Sequence, residues 1–147
     1  MAPEVTTASG VISFAQRLED HDAALYRTWA DRFPEEREAF SALTKECERV
    51  KTSIVRTYRE TISDALEAGF SFEGLDLEAY RVASVRAEAV ACEDALRTAV
   101  ELQGRAADFY EDVAARSRSL LATIAMAFKN AAKRKRRSER RLASRLA

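Results

Sequence analysis

The feature that most constrains this chain is the helical spacing of its apolar residues. In four long segments these residues recur three or four positions apart, the spacing that places them on one face of a helix. The 147 residues include only two prolines and four glycines, so little interrupts these segments. We therefore predict an almost wholly helical chain, long enough to bury a core as a single domain over 1–147.

The first predicted helix has an apolar face that Asp22 interrupts. The apolar residues on this face are Val11, Ala15, Leu18, Leu25 and Trp29. The candidates for its N-cap are Thr6, Thr7 and Ser9. The sequence FPEE at 33–36 ends this helix, and Pro34 suits the first turn of a second one.

The second predicted helix runs to about Ala68, where Gly69 suits the position just past a helix C-terminus. Its apolar stripe consists of Phe40, Leu43, Cys47, Val50 and Ile54, followed by Tyr58 or Ile62 and Leu66. The segment 69–84 contains two glycines and predicts a connection with a short turn of helix. It is long enough to cross from one end of a helical bundle to the other.

The third predicted helix carries an inward face of Cys92, Leu96, Ala99, Gln103, Ala106 and Tyr110. The region 117–119 separates it from a fourth helix that begins near Leu120. Short, long and short connections predict an all-α fold, an antiparallel four-helix bundle with one long crossover connection between helices 2 and 3.

An internal repeat supports two related helix pairs. At an offset of 84 residues, the segment 15–30 aligns with 99–114. Leu18 then matches Leu102, and Tyr26 matches Tyr110. Alanine matches alone mean little in an alanine-rich chain, but the leucine and tyrosine matches in register indicate a repeated unit.

Three motifs give this chain a resemblance to a known family. They are L-E-x6-Y at Leu18, Glu19 and Tyr26, F-x-x-L at Phe40 and Leu43, and A-V-E-L…A-x-x-F-Y from Ala99 to Tyr110. With them, the chain resembles the rubrerythrin branch of the ferritin-like superfamily over nearly its whole length. The resemblance implies two irons inside the bundle, held by a Glu from each of two helices and a Glu-x-x-His pair from each of the others.

The ligand positions that the resemblance implies are mostly changed in this chain. The six positions are Glu19, Cys47, Val50, Gln103, Ala131 and Arg134, and of these Glu19 keeps a ligand. The only histidine is His21, which lies roughly 200° around the helix from Glu19. We therefore expect a degenerate metal site with no metal, cofactor or catalytic residue, and iron remains the alternative.

The interior positions predict a polar network in place of a metal centre. Its members are Glu19, Tyr26, Gln103 and Tyr110, with Arg134 as a source of countercharge. The alternative is that Glu19 reaches solvent at the edge of the bundle. Cys47 and Cys92 lie on apolar stripes, where we expect each thiol to act as a small apolar side chain; a redox or metal-binding role is the alternative.

The formal net charge of zero conceals a strongly basic end. Residues 129–147, the C-terminal end of the fourth helix, contain nine Lys/Arg and one Glu, and the rest of the chain is acidic. The candidate anion-binding residues are Lys133, Arg134, Lys135, Arg136, Arg137, Arg140 and Arg141. The basic end could also serve the helix dipole and solubility, or bind an acidic protein, a membrane surface or nucleic acid.

Together these features predict a non-catalytic ferritin-like scaffold or protein-interaction module, which forms a homodimer or binds another protein. The alternatives are a rubrerythrin-like metal-binding oxidase or peroxidase with atypical ligands, and an anion- or nucleic-acid-binding protein that uses its basic C-terminal helix. No apolar stretch reaches the ~18 residues of a transmembrane span, and no secretory signal is visible. We therefore expect a cytoplasmic location.

Overall fold

A computed structural model describes residues 6–61, 71–72, 75–80, 91–117 and 122–146. Four long helices make up most of these residues. They are α1 (Ala8–Arg32), α2 (Arg37–Thr61), α3 (Cys92–Ser117) and α4 (Ala122–Leu146). The predicted all-α four-helix bundle is thus confirmed.

Contacts between the helices fix their directions. The pairs in contact are Asp20–Lys51 and Arg27–Glu48 between α1 and α2, and Glu19–Tyr110 and Tyr26–Gln103 between α1 and α3. In both sets the residue number rises along α1 and falls along its neighbour, so α1 is antiparallel to α2 and to α3. Consequently α2 and α3 run parallel, and the chain crosses the length of the bundle between Thr61 and Cys92, as the predicted crossover requires.

The helix boundaries follow local sequence signals. Thr7, one of the predicted caps, precedes α1, and its hydroxyl accepts a hydrogen bond from the Gly10 amide at 3.0 Å. A short 3-10 helix, Pro34–Glu36, separates α1 from α2 at the predicted break. The predicted end of the second helix near Ala68, with Gly69 beyond it, lies outside the described residues, as does the predicted start of the fourth at Leu120.

Two features of the crossover connection lie at the end of the bundle where α1 begins. Two-residue strands β1 (Thr6–Thr7) and β2 (Ser71–Phe72) pair antiparallel, a bridge that the sequence did not predict. A second 3-10 helix, Leu77–Tyr80, is the predicted short helical turn. The Tyr80 hydroxyl donates to the Asp112 carboxylate of α3 at 2.7 Å and so ties the connection to the bundle.

The core consists of two apolar clusters placed one after the other along the bundle. One cluster contains Val11, Phe109 and Phe128, and the other contains Trp29 and Phe40. In α1 the first cluster stops at Leu18 and the second begins at Ala23, and the other three helices show the same division near their midpoints. Buried charged and amide side chains of α1, α3 and α4 lie at this division.

Candidate functional site: a buried polar layer

A layer of polar side chains separates the two apolar clusters. Its members are Glu19 and Asp22 of α1, Gln103 of α3 and Lys135 of α4, and each is almost completely buried. Charged side chains are rarely buried to this extent unless they are paired. The layer is therefore the part of the described interior where chemistry other than packing could occur.

A buried ion pair lies at the centre of this layer. The Lys135 ammonium donates to Oε1 of Glu19 at 2.6 Å. The Tyr110 hydroxyl donates to Oε2 of the same carboxylate, so both oxygens of Glu19 are engaged. The three residues come from three different helices, so the pair links α1, α3 and α4 in the middle of the bundle.

A second hydrogen bond mirrors the Glu19–Tyr110 contact. Gln103 Nε2 donates to the Tyr26 hydroxyl at 2.8 Å, and both side chains are buried. Glu19 and Gln103 are 84 residues apart in the chain, and so are Tyr26 and Tyr110. Each interior polar residue thus contacts the tyrosine of the other repeat, which indicates an approximate two-fold relation between the two helix pairs.

Lys135 remains an ammonium in this setting. Burial alone would lower the pKa of Lys135, but the adjoining Glu19 carboxylate outweighs burial and the pKa of Lys135 lies above its ordinary value. Burial raises the pKa of Tyr26 and Tyr110 well above the ordinary tyrosine range, and for Tyr110 the Glu19 charge acts in the same direction. Both phenols therefore stay protonated; the Tyr110 hydroxyl donates to Glu19, and the Tyr26 hydroxyl accepts from Gln103.

The Cys47 thiol adjoins this ion pair. Its sulfur lies 3.7 Å from Lys135 Nζ, and the residue is buried. Burial raises the pKa of Cys47 well above that of a free thiol, although the Lys135 charge acts in the opposite direction. A protonated thiol is a weak nucleophile and a poor ligand, and the Cys47 sulfur here accepts a hydrogen bond from the Lys135 ammonium.

Asp22 extends the layer towards the surface. Its Oδ1 lies 3.0 Å from Nδ1 of His21, whose side chain is 43% exposed. This hydrogen bond raises the pKa of His21, and partial burial of the ring opposes the shift. Within the described residues, three buried polar atoms lack a hydrogen-bond partner: Asp22 Oδ2, Trp29 Nε1 and Gln103 Oε1. The buried polar atoms on this side of the layer are thus not all hydrogen-bonded.

A cleft between α1 and α2 leads from the surface towards this layer. It has a volume of about 560 Å³, and both Glu19 and Cys47 contribute to its lining. Two ion pairs connect the helices beside it, Asp20–Lys51 at 2.7 Å and Arg27–Glu48 at 3.3 Å. Most of these four side chains are strongly exposed, so each pair contributes little to stability.

The predicted countercharge was assigned to the wrong residue. Arg134 lies at the surface, 49% exposed, and pairs with Glu46 of α2 at 3.5 Å. Lys135 occupies the interior because the buried stripe of α4 runs from Phe128 through Ala131 to Leu142, and a neighbouring position is rotated by about 100°. The repeat offset and the density of basic residues both favoured Arg134, whereas the apolar stripe of α4 alone predicts an inward Lys135.

The interior does not have the composition of a di-iron site. Val50 and Ala131, two of the implied ligand positions, are buried but have no donor atoms, and Gln103 is a neutral amide. The Glu19 carboxylate already holds the Lys135 ammonium. Among the described residues, no group of three His, Cys, Asp or Glu side chains is placed to hold a metal ion. The residues present therefore do not fit two irons.

The predicted anion-binding residues of the basic end divide into three groups. Lys135 is buried, so it is not available to a ligand. Arg136 contacts Asp108, Glu111 and Glu139, and Arg134 contacts Glu46, so their charges are already neutralised. The remaining members are exposed, and the described residues give them no acidic partner: Lys133, Arg137, Arg140 and Arg141.

Comparisons with known proteins give no match for this chain, whether to a family model, to a curated protein or to a solved structure. None of the described helices has the length and apolarity that crossing a membrane requires.

Proposed function

We propose that this chain is a ferritin-like bundle of the rubrerythrin type that lacks a di-iron centre and acts as a non-catalytic scaffold or interaction module. The observation that carries this proposal is the Lys135–Glu19 ion pair. Lys135 supplies inside the bundle the positive charge that a bound metal would otherwise supply, and it does so with a group that cannot change its redox state.

The charges of the interior support this proposal. A metal at Glu19 would have to displace the ammonium or share the carboxylate with it, and uncompensated positive charge in a buried layer costs several kcal/mol. Burial raises the pKa of the Cys47 thiol, which makes it a poorer candidate for redox chemistry. The rubrerythrin-like oxidase or peroxidase with atypical ligands is therefore the less favoured alternative.

Metal analysis tests the proposal. We would incubate the purified chain with excess ferrous iron without oxygen, expose it to air, desalt it, and measure its iron content and its optical spectrum. We expect iron no higher than in a protein-free blank and no charge-transfer band. Retention of about two irons per chain, the content of a di-iron carboxylate site, would contradict the proposal.

A variant identifies the cause of metal exclusion. Lys135→Met removes the ammonium without adding a ligand, whereas Lys135→Glu also adds a carboxylate that faces Glu19, so a gain of metal binding in Lys135→Met assigns the exclusion to the ammonium. Circular dichroism checks that Lys135→Met folds. If this variant does not fold, the iron content of the unchanged chain still decides the proposal.

The assembly state and location are separate proposals. Rubrerythrin relatives are commonly oligomers, so we propose that the chain forms a homodimer in the cytoplasm. Light scattering at several salt concentrations tests the homodimer. A monomer at every salt concentration would contradict the homodimer without affecting the interior site.

A further inference from the structure

The outer face of α2 carries a stripe of cations. Lys45, Arg49 and Arg56 are exposed and spaced by four and seven residues, which aligns them along one side of the helix. Thr52 and Ser53 lie between them, and these side chains together with Glu48 line a shallow groove of about 400 Å³. Arg59 continues the stripe and lines an adjoining groove of about 530 Å³, to which the exposed Glu60 also contributes.

The outer face of α4 carries a second stripe. Its exposed members are Lys129, Lys133, Arg137, Arg140 and Arg141. The Glu46–Arg134 contact marks the line where the surfaces of α2 and α4 meet. Lys45 and Arg49 adjoin Glu46 in α2, and Arg137 follows Arg134 by one helical turn, so the two stripes lie side by side on one face of the bundle. We call this the basic face.

The charges of the basic face are only partly balanced within the described chain. The acidic residues near its middle, Glu46 and Glu48, each already have an arginine partner. Across α3, most acidic side chains likewise contact arginines, as Asp108 and Glu111 contact Arg136. Although the chain has no formal net charge, ion pairs within the described residues neutralise much of its acid and leave the cations of the basic face in excess over the exposed Glu60 of the α2 grooves.

The chemistry of this face identifies the partner. Its cations are mostly arginines, whose planar fork suits phosphate oxygens. The stripes carry no aromatic side chain on which a base could stack, and Met126, near one end of α4, is the large apolar side chain exposed in the described residues. Base stacking and membrane insertion therefore have little support, and contact with a regular array of phosphates has the most.

We propose that the basic face binds the phosphate backbone of double-stranded nucleic acid without reading its sequence. This rests on the interaction role proposed above and names the partner. Two roughly antiparallel rows of cations, carried by packed helices whose axes lie about 8–10 Å apart, can contact phosphates of both strands. Most acidic side chains of the described part of residues 1–128 already contact a cation, which limits their repulsion of phosphates.

The test measures binding of a fluorescently labelled duplex of about 20 base pairs by anisotropy, at salt concentrations from about 50 to 200 mM. DNA and RNA duplexes of the same sequence are compared, together with the single strand. We expect both duplexes to bind, the single strand to bind more weakly, and the affinity to fall with salt by a log–log slope of about 0.9 per phosphate contacted.

Double variants locate the surface. The R49Q/R56Q variant removes two charges from α2, and R137Q/R140Q removes two from α4. Each should reduce the affinity at 0.1 M salt by at least about tenfold and reduce the slope by about 2. The matched control, R97Q/R116Q, also removes two charges but from the ion-paired surface of α3. We expect its affinity to stay within about twofold.

Three results would overturn the proposal. They are no duplex binding at the lowest salt, an equal loss in the control variant, and retention on anionic vesicles or an acidic polypeptide without binding to the duplex. These outcomes are independent of iron uptake, which tests the interior. A failure of the basic face is therefore distinguishable from a failure of the metal-free scaffold.

Discussion

Replacing Lys135 with methionine removes the interior ammonium while keeping a long, unbranched side chain. The pair spans 2.6 Å, which at an effective dielectric constant of about 20 corresponds to an attraction of about 6 kcal/mol. The desolvation of two ions offsets much of this attraction, so the net contribution of the intact pair is small. The variant, however, leaves the Glu19 charge buried without its partner, which costs about 3–5 kcal/mol.

Urea unfolding followed by circular dichroism measures this loss for Lys135→Met, Glu19→Gln and the double variant. We expect the double variant to recover most of the stability that Lys135→Met loses, because it buries no unpaired charge. The control is Lys133→Met, the same substitution on the exposed side of α4, which should cost less than about 0.5 kcal/mol. A loss below about 1 kcal/mol in Lys135→Met, or no coupling in the cycle, would refute the buried ion pair.

Three further predictions concern other contacts. The pKa of His21 is raised by its hydrogen bond to Asp22. The stability that this contact contributes should therefore be complete below about pH 6.5 and lost as the pH rises through the raised pKa. The urea midpoint should accordingly depend less on pH in His21→Gln than in the unchanged chain. In the folded chain a thiol reagent should modify Cys92 and leave Cys47 protected, whereas equal rates would contradict the burial of Cys47. Tyr80→Phe should lower the free energy of unfolding in urea by about 1 kcal/mol, because it loses the hydrogen bond to Asp112 of α3. An unchanged free energy of unfolding would show that this contact does not stabilise the fold.

The fold was predictable because the spacing of apolar residues and the positions of helix-ending residues indicate the same architecture. The break at Pro34, the Thr7 cap and the helical turn within the crossover all follow from residues whose backbone preferences are strong. The pairing of β1 with β2 was not predictable, because two-residue strands are too short to show alternation.

The interior site was predictable in part. The four predicted members are all buried, but Gln103 donates to Tyr26 and not, as we expected, to Glu19, so they form two separate hydrogen bonds rather than one network around Glu19. The residue that balances Glu19 was missed because nine basic residues crowd the end of the chain, and composition does not distinguish an inward lysine from its neighbours. Only the register of the buried stripe makes that distinction, and one residue of error rotates a side chain from the core to the surface.

Nuclear magnetic resonance of the Lys135 side-chain nitrogen tests the central claim most directly. In the chain labelled with 15N-lysine, we predict a slowly exchanging ammonium signal that is absent in Lys135→Met, because burial and the Glu19 bond protect its protons. Stoichiometric cobalt(II), a paramagnetic divalent ion, should leave that signal unbroadened. A signal that exchanges as fast as those of exposed lysines, or one that cobalt(II) broadens away, would contradict an ammonium holding the place of the metal.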